Sequence, residues 1–226
     1  MTKAKQTLVS HPGKKSFAEK IVDFIGRHLY RLFFQVEIRY PKRLPKKGPV
    51  LILAKHCSNH DVPLGLPAIK RMFRRKDVWA IMKDSLANPW FLGIFLKAGG
   101  IPINRENPTL SKTQLLFARE VLYQDQIMII FPEQTRIPEA MGEGKSAGFR
   151  FIAGKPQEPL AVNCIGYEYK KGRWRDKVTI RCGKTKYFHR GDNAEQFLHK
   201  RMLEIAWLSN LQYPFAEPKK RKTKTS

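Results

Sequence analysis

Six residues, His56-Cys57-Ser58-Asn59-His60-Asp61, set an imidazole five positions before a carboxylate. Such a pair can form a general base. The carboxylate fixes the imidazole tautomer and steadies the cation formed when His56 takes a proton. Just upstream, Val50 to Ala54 is a compact apolar run that reads as a buried strand. On one regular helix, five positions would turn the two side chains well away from each other. The dyad therefore needs His56 ahead of a helix and Asp61 in its first turn. Pro63 is tolerated near a helix start and permits this.

Three further segments carry reactive or anion-binding residues where strands end. Lys83 closes Ala80-Ile81-Met82. Gly99 to Arg105 ends in an arginine, and Ile129 to Arg136 contains Glu133, Gln134, Thr135 and Arg136. Ligands of open α/β sheets sit beyond the carboxyl ends of the strands, so all four segments can converge on one site. Arg105 and Arg136 suit a bidentate clamp on a phosphate. Glu133 could orient one of them or bind a substrate hydroxyl. Two other chemistries are weaker. His56 and His60 have metal-ligand spacing, but a third ligand would have to come from as far as Cys164, Cys182 or His189. Cys57 as a nucleophile would need His60 as its base, and small buried cysteines are common.

The elements that must position these residues can be read from hydropathy. Strand-like segments lie at 50–55, 78–82, 101–103, 127–131, 159–165 and 177–181. Helical patterns fall at 62–71, 88–98, 109–124 and 145–153. Alternating strands and helices predict an α/β fold with a mixed, largely parallel central sheet flanked by helices. A last helix is expected over 193–210, opened by Asp192 with Glu195. Residues 16–37 predict an amphipathic helix, with Ser16 and Glu19 as a capping box. Lys20, Asp23, Arg27 and Arg31 forbid it from crossing a bilayer. It either packs on the domain or lies in a membrane interface with its apolar face down. Residues 1–15 read as a basic flexible arm, 38–212 as the main domain and 213–226 as a basic tail.

Composition narrows the partners. The net charge of +24 on 226 residues calls for an anionic partner: lipid, nucleic acid, phosphorylated substrate or acidic carrier protein. No zinc-finger spacing, RRM signature or helix-turn-helix pattern supports nucleic acid. Charge alone would not gather His, Lys, Arg and Glu at successive strand ends. The 3 cysteines show no paired spacing, which favours a reducing compartment. Met1 to Lys15 lacks the apolar core of a signal peptide, and no run reaches the roughly 18 apolar residues of a membrane span.

Taken together and in order, these motifs resemble the lysophosphatidic acid and glycerol-3-phosphate acyltransferase superfamily. His56 and Asp61 match its histidine-x4-aspartate motif. Lys83 with Asp84-Ser85-Leu86 resembles Lys-x-Glu-Leu. Ile101 to Arg105 resembles Ile-Pro-Val-Asp-Arg, and Phe131 to Arg136 resembles Phe-Pro-Glu-Gly-Thr-Arg. Lys145 to Phe149 is similar to the Lys-Lys-Gly-Ala segment that follows. The chain departs at Gln134, where the family has glycine, and at Asn104, where it has aspartate. Pro159-Leu160-Ala161-Val162 keeps only part of the family's proline-rich strand. If the Gln134 position needs a positive φ, the side chain strains it or reshapes the pocket.

The resemblance implies an acyltransferase on the cytoplasmic face of a membrane. The donor would be acyl-CoA or acyl-carrier protein, with no other cofactor and no metal. The acceptor would be a lysophospholipid, foremost 1-acylglycerol-3-phosphate, with another lysolipid such as a lyso-ornithine lipid as the alternative. His56 and Asp61 would be the base, and Lys83 or backbone N–H groups near the dyad the oxyanion donors. Arg105 and Arg136 would hold the acceptor phosphate, supported by Glu133 and Thr135, with Gln134 completing the substrate-binding set. A family member that binds lipid without turning it over, or a nucleic-acid binder, is the remaining contrast.

Overall fold

The computed structural model describes residues 13–83, 89–104 and 111–218. The basic arm up to residue 12, the tail from 219, and Arg105 all lie outside them.

Eight strands form one mixed sheet in the order β1-β7-β6-β2-β5-β3-β4, with β8 pairing β6. The strands are β1 (Phe34–Arg39), β2 (Val50–Ala54), β3 (Val78–Lys83), β4 (Gly100–Ile103), β5 (Ile127–Ile130), β6 (Leu160–Lys170), β7 (Asp176–Cys182) and β8 (Lys186–Phe188). The centre, β6-β2-β5-β3-β4, is parallel; β7 turns back against β6, and β1 follows β7 in parallel. Every residue of β2 and β5 is buried, as expected of strands covered on both faces.

The helices are α1 (Ser16–Phe24), α2 (Tyr30–Phe33), α3 (Asp61–Phe73), α4 (Pro89–Lys97), α5 (Lys112–Tyr123), α6 (Ser146–Ala153) and α7 (Ala194–Leu208). A π-helical turn, Ile25–Leu29, joins α1 to α2. Buried residues of α1 and α3 share one apolar cluster with Ile52 and Ile129, and α5, α6 and α7 share another with Leu51 and Met128. The sheet is thus the middle of three layers.

The first segment differs from its prediction. The helical run ends at Phe33, because Phe34, Val36 and Ile38 alternate with polar residues and pair with β7 as an edge strand. The capping box does not form: Lys15 is the N-cap, and Glu19 bonds to Lys14 and Lys70 instead. Only small residues are fully buried, with Tyr30 half-buried against the core. Ala18, Val22 and Gly26 are buried, and a Cβ on Gly26 would meet the Pro63 carbonyl at 2.1 Å. The large apolar residues face outward, with Phe17 73%, Leu32 66% and Phe33 68% exposed. At the other end, Asn193 rather than Asp192 caps α7, accepting from the backbone N–H of Glu195 and Gln196.

Candidate active site

His56 stands just past β2, and Asp61 is the first residue of α3. This is the arrangement that the five-residue spacing demanded. His56 Nδ1 lies 2.9 Å from Asp61 Oδ2. That contact leaves Nε2 as the ring nitrogen available to a substrate hydroxyl. Asp61 is fully buried, and its Oδ2 also accepts from the backbone N–H of Cys57 (2.7 Å) and Ser58 (2.8 Å). A turn of this kind closes because a short carboxylate at a helix start satisfies the free N–H groups ahead of it. The His56 ring stacks on Phe131, with centroids 4.4 Å apart.

A second buried carboxylate grips the same turn from the β5 side. Glu133 Oε2 accepts from the His56 N–H at 3.0 Å, and Oε1 from the Gly142 N–H at 2.6 Å. Both oxygens take Lys55 Nζ at 2.9 Å. Lys55 Nζ also donates to the Ile137 carbonyl at 2.7 Å. Glu133 therefore holds the His56 turn to the 131–142 loop, and its oxygens are engaged inside the protein. This geometry fits a positioning residue better than a ligand for the acceptor.

Gln134, Thr135 and Arg136 follow on the open side of that loop. Thr135 and Arg136 are exposed. Arg136 donates to the Asn59 side-chain oxygen, which ties it to the His56–Asp61 turn. Gln134 has φ 57, the left-handed region that glycine adopts freely. The strain expected of that substitution is present. Lys83 lies elsewhere. It pairs in register with Ile103, which packs on the α5 side, and β5 separates its strand from β2. Strand alternation thus sends it to the opposite face from Phe131, about 10 Å across the sheet from the His56 strand. The geometry does not support Lys83 as an oxyanion donor at His56.

His60 Nδ1 is 3.4 Å from the Tyr30 hydroxyl, so the two histidines of the turn have separate partners. Burial pushes the Cys57 thiol up to about 12, which keeps it protonated and unsuited to attack. Beside Asp61 lies an apolar cavity of about 60 Å³ lined by Val22, Leu66, Met82, Phe95 and Phe131 among others. Val22 and Phe95 also line a wider groove of about 910 Å³ between α1 and α4.

A family model described as Acyltransferase matches residues 35–165. The chain belongs to this acyltransferase family. It is 28% identical over 159 residues to a probable 1-acyl-sn-glycerol-3-phosphate acyltransferase of Mycoplasma pneumoniae, across 69% of this chain and 59% of that relative's length. The crystal structure of the 1-acyl-sn-glycerophosphate (LPA) acyltransferase PlsC from Thermotoga maritima shares the fold. Its TM-score is 0.58 at 23% identity, over 82% of this chain and 75% of the other.

Two parts of the site of this family member are not evident from the sequence. Lys55 carried a signal, since a lysine that directly follows five apolar strand residues must find a partner if buried. Tyr169, whose hydroxyl donates to Asp61 Oδ1 at 2.7 Å, lies beyond the expected end of its strand and past the matched region.

Proposed function

We propose that this acyltransferase moves a fatty acyl group from acyl-CoA or acyl-carrier protein to the free hydroxyl of a lysophospholipid, foremost 1-acylglycerol-3-phosphate. The observation that carries the reading is the oriented His56 beside an apolar cavity. His56 Nε2 takes the hydroxyl proton as that oxygen bonds to the thioester carbonyl carbon. The tetrahedral intermediate then collapses, the C–S bond breaks, and the imidazolium returns its proton to the departing sulfur. The products are an ester and a free thiol. Holding hydroxyl and thioester together supplies much of the rate.

Arg136 and Thr135, exposed beside the base turn, hold the acceptor phosphate. Arg105, carried by the resemblance alone, is the second cation of that clamp. The acyl chain runs into the cavity beside Asp61. Because that space is small, a long chain continues past Val22 and Phe95 into the groove between α1 and α4.

The outward-facing Phe17, Phe24, Leu29, Leu32 and Phe33 support a membrane-facing helix. Among the described residues no helix is long and apolar enough to cross a membrane. Arg27, His28, Arg31 and Arg71 line one groove of about 520 Å³ beside that helix. An anionic leaflet suits it, since each basic residue at such a surface adds about 1 kcal/mol.

The test is transfer of labelled acyl groups from acyl-CoA and from acyl-carrier protein to a lysolipid panel, with and without His56→Ala. Transfer to a lysophospholipid, lost in His56→Ala, is expected. No transfer to any lysolipid would overturn the reaction, and full transfer by His56→Ala would overturn the base.

A further inference from the structure

We infer that Tyr169 completes the base as a positioning residue: its hydroxyl sets how strongly the Asp61 carboxylate charges His56. The inference rests on the acyl-transfer reading, with His56 as the base.

The two oxygens of Asp61 are used unequally. Oδ2 takes His56 Nδ1 and two backbone N–H groups. Oδ1 takes Tyr169 at 2.7 Å. Asp61 is fully buried, so water does not supply a substitute donor. An ionised carboxylate only accepts, so the tyrosine must be the donor. Burial, and then the Asp61 charge itself, push the Tyr169 hydroxyl well above its ordinary range, and it stays protonated.

Topology puts the tyrosine there. Ala54, the last residue of β2, pairs with Ile165, but β6 runs on to Lys170. Strand alternation sets Ile165, Tyr167 and Tyr169 on one face, level with the turn that leaves β2. Tyr167 donates to the Asp61 backbone carbonyl at 3.2 Å, so its hydroxyl anchors the helix start rather than the carboxylate. Phe34 packs edge-on against the Tyr169 ring, which holds the hydroxyl in place.

The other titratable groups around the dyad are engaged. From the turn, Cys57 is a neutral buried thiol and Lys55 is paired with Glu133. From the 131–142 loop, Arg136 is bonded to Asn59. His60, beside Asp61, is bonded to Tyr30 of α2. Tyr169 is thus the side chain that directly tunes Oδ1.

The sign follows from charge. A donor on Oδ1 draws negative charge away from Oδ2 and weakens its hold on the imidazolium. Removing the hydroxyl concentrates charge toward His56 and raises the pH at which His56 loses its proton.

The test is the ring-carbon NMR titration of His56, assigned against His56→Ala, in the wild type and in Tyr169→Phe. The expected result is an upward shift of about half a pH unit in Tyr169→Phe. The acid limb of the rate profile should move the same way, with KM for the lysolipid unchanged. A difluorotyrosine placed at 169, a stronger donor, should move the titration downward. No shift in either variant, or shifts of the opposite sign, would overturn the inference. Transfer that survives His56→Ala would instead overturn the base reading, so the two failures are distinguishable. If Tyr169→Phe does not fold, the difluorotyrosine variant decides.

Discussion

Lys55→Met is predicted to destabilise the chain by about 3–5 kcal/mol, far beyond a typical lysine substitution. Lys55 and Glu133 have side chains 0% and 1% exposed, and both carboxylate oxygens lie 2.9 Å from the ammonium. Methionine fills the volume of the lysine stem but leaves Glu133 with only the N–H groups of His56 and Gly142. It also strips the Ile137 carbonyl of its 2.7 Å donor. Coulomb attraction at 2.9 Å with an effective dielectric of 20 is roughly 6 kcal/mol, of which desolvation of the pair offsets a large part. Most of the destabilisation therefore comes from the unpaired charge left behind. Removing that charge too should restore stability: Lys55→Met with Glu133→Gln should recover at least about 2 kcal/mol over Lys55→Met alone. Urea unfolding reads this directly. With a slope of about 2–3 kcal/mol per molar, the Lys55→Met midpoint should fall by about 1–2 M. A midpoint within about 0.3 M of wild type would refute the claim that this pair fixes the base turn, as would a double variant no more stable than the single one.

Gln134→Gly should relieve the left-handed strain at φ 57 and stabilise the fold by about 0.5–1 kcal/mol, read as a raised melting temperature; an unchanged or lower value would show that the Gln134 side chain returns what its backbone costs. Cys57, at about 12, should resist iodoacetamide at pH 8, with a thiolate fraction about 1,000-fold below that of an ordinary thiol. Incubation with the acyl donor alone should add no acyl mass to it. Val22→Trp, which fills the space shared by the inner cavity and the outer groove, should shift donor preference toward shorter acyl chains in a competition assay; an unchanged preference would place the chain elsewhere. Replacing Phe24, Leu32 and Phe33 together by Gln should weaken sedimentation with anionic vesicles at least tenfold without changing the melting temperature.

The local signals in the sequence were those with a short period. The segments 50–55, 78–82 and 127–131 read as strands from their apolar runs, and the structure has strands at Val50–Ala54, Val78–Lys83 and Ile127–Ile130. The His56–Asp61 geometry followed from helix period alone. What escaped notice depended on pairing distant in sequence. Phe34 to Glu37 read as the end of a helix because apolar residues at 33 and 36 continue the helical spacing. Only β7, more than a hundred residues later, makes that segment a strand. Tyr169 was missed for the same reason: its role depends on how far β6 overruns β2. Lys83 shows the converse. A motif places a residue at a strand end, but the face on which it lies is set by the register with Ile103.

Two buried carboxylates divide the base turn between them. Glu133 takes the N–H of His56, and Asp61 takes those of Cys57 and Ser58. Three consecutive amides of the turn are thereby fixed, with the ring held between Phe131 and Asp61. Such fixing suits a base whose ring must stay aligned while its charge changes. It has a consequence for the oxyanion. None of these three amides is left to bind it, and His60 N–H is bonded to the Ser58 hydroxyl. With Lys83 on the far face, the proposed reaction needs donors for its developing negative charge from outside residues 56–58. Lys55 is held by Glu133, and the exposed cation tied to the turn is Arg136, through Asn59. Replacing Asn59 by Ala should therefore lower kcat/KM for the lysolipid by freeing the Arg136 clamp, while leaving the His56 titration in place. A variant that moved that titration instead would put Asn59 in the support of the base.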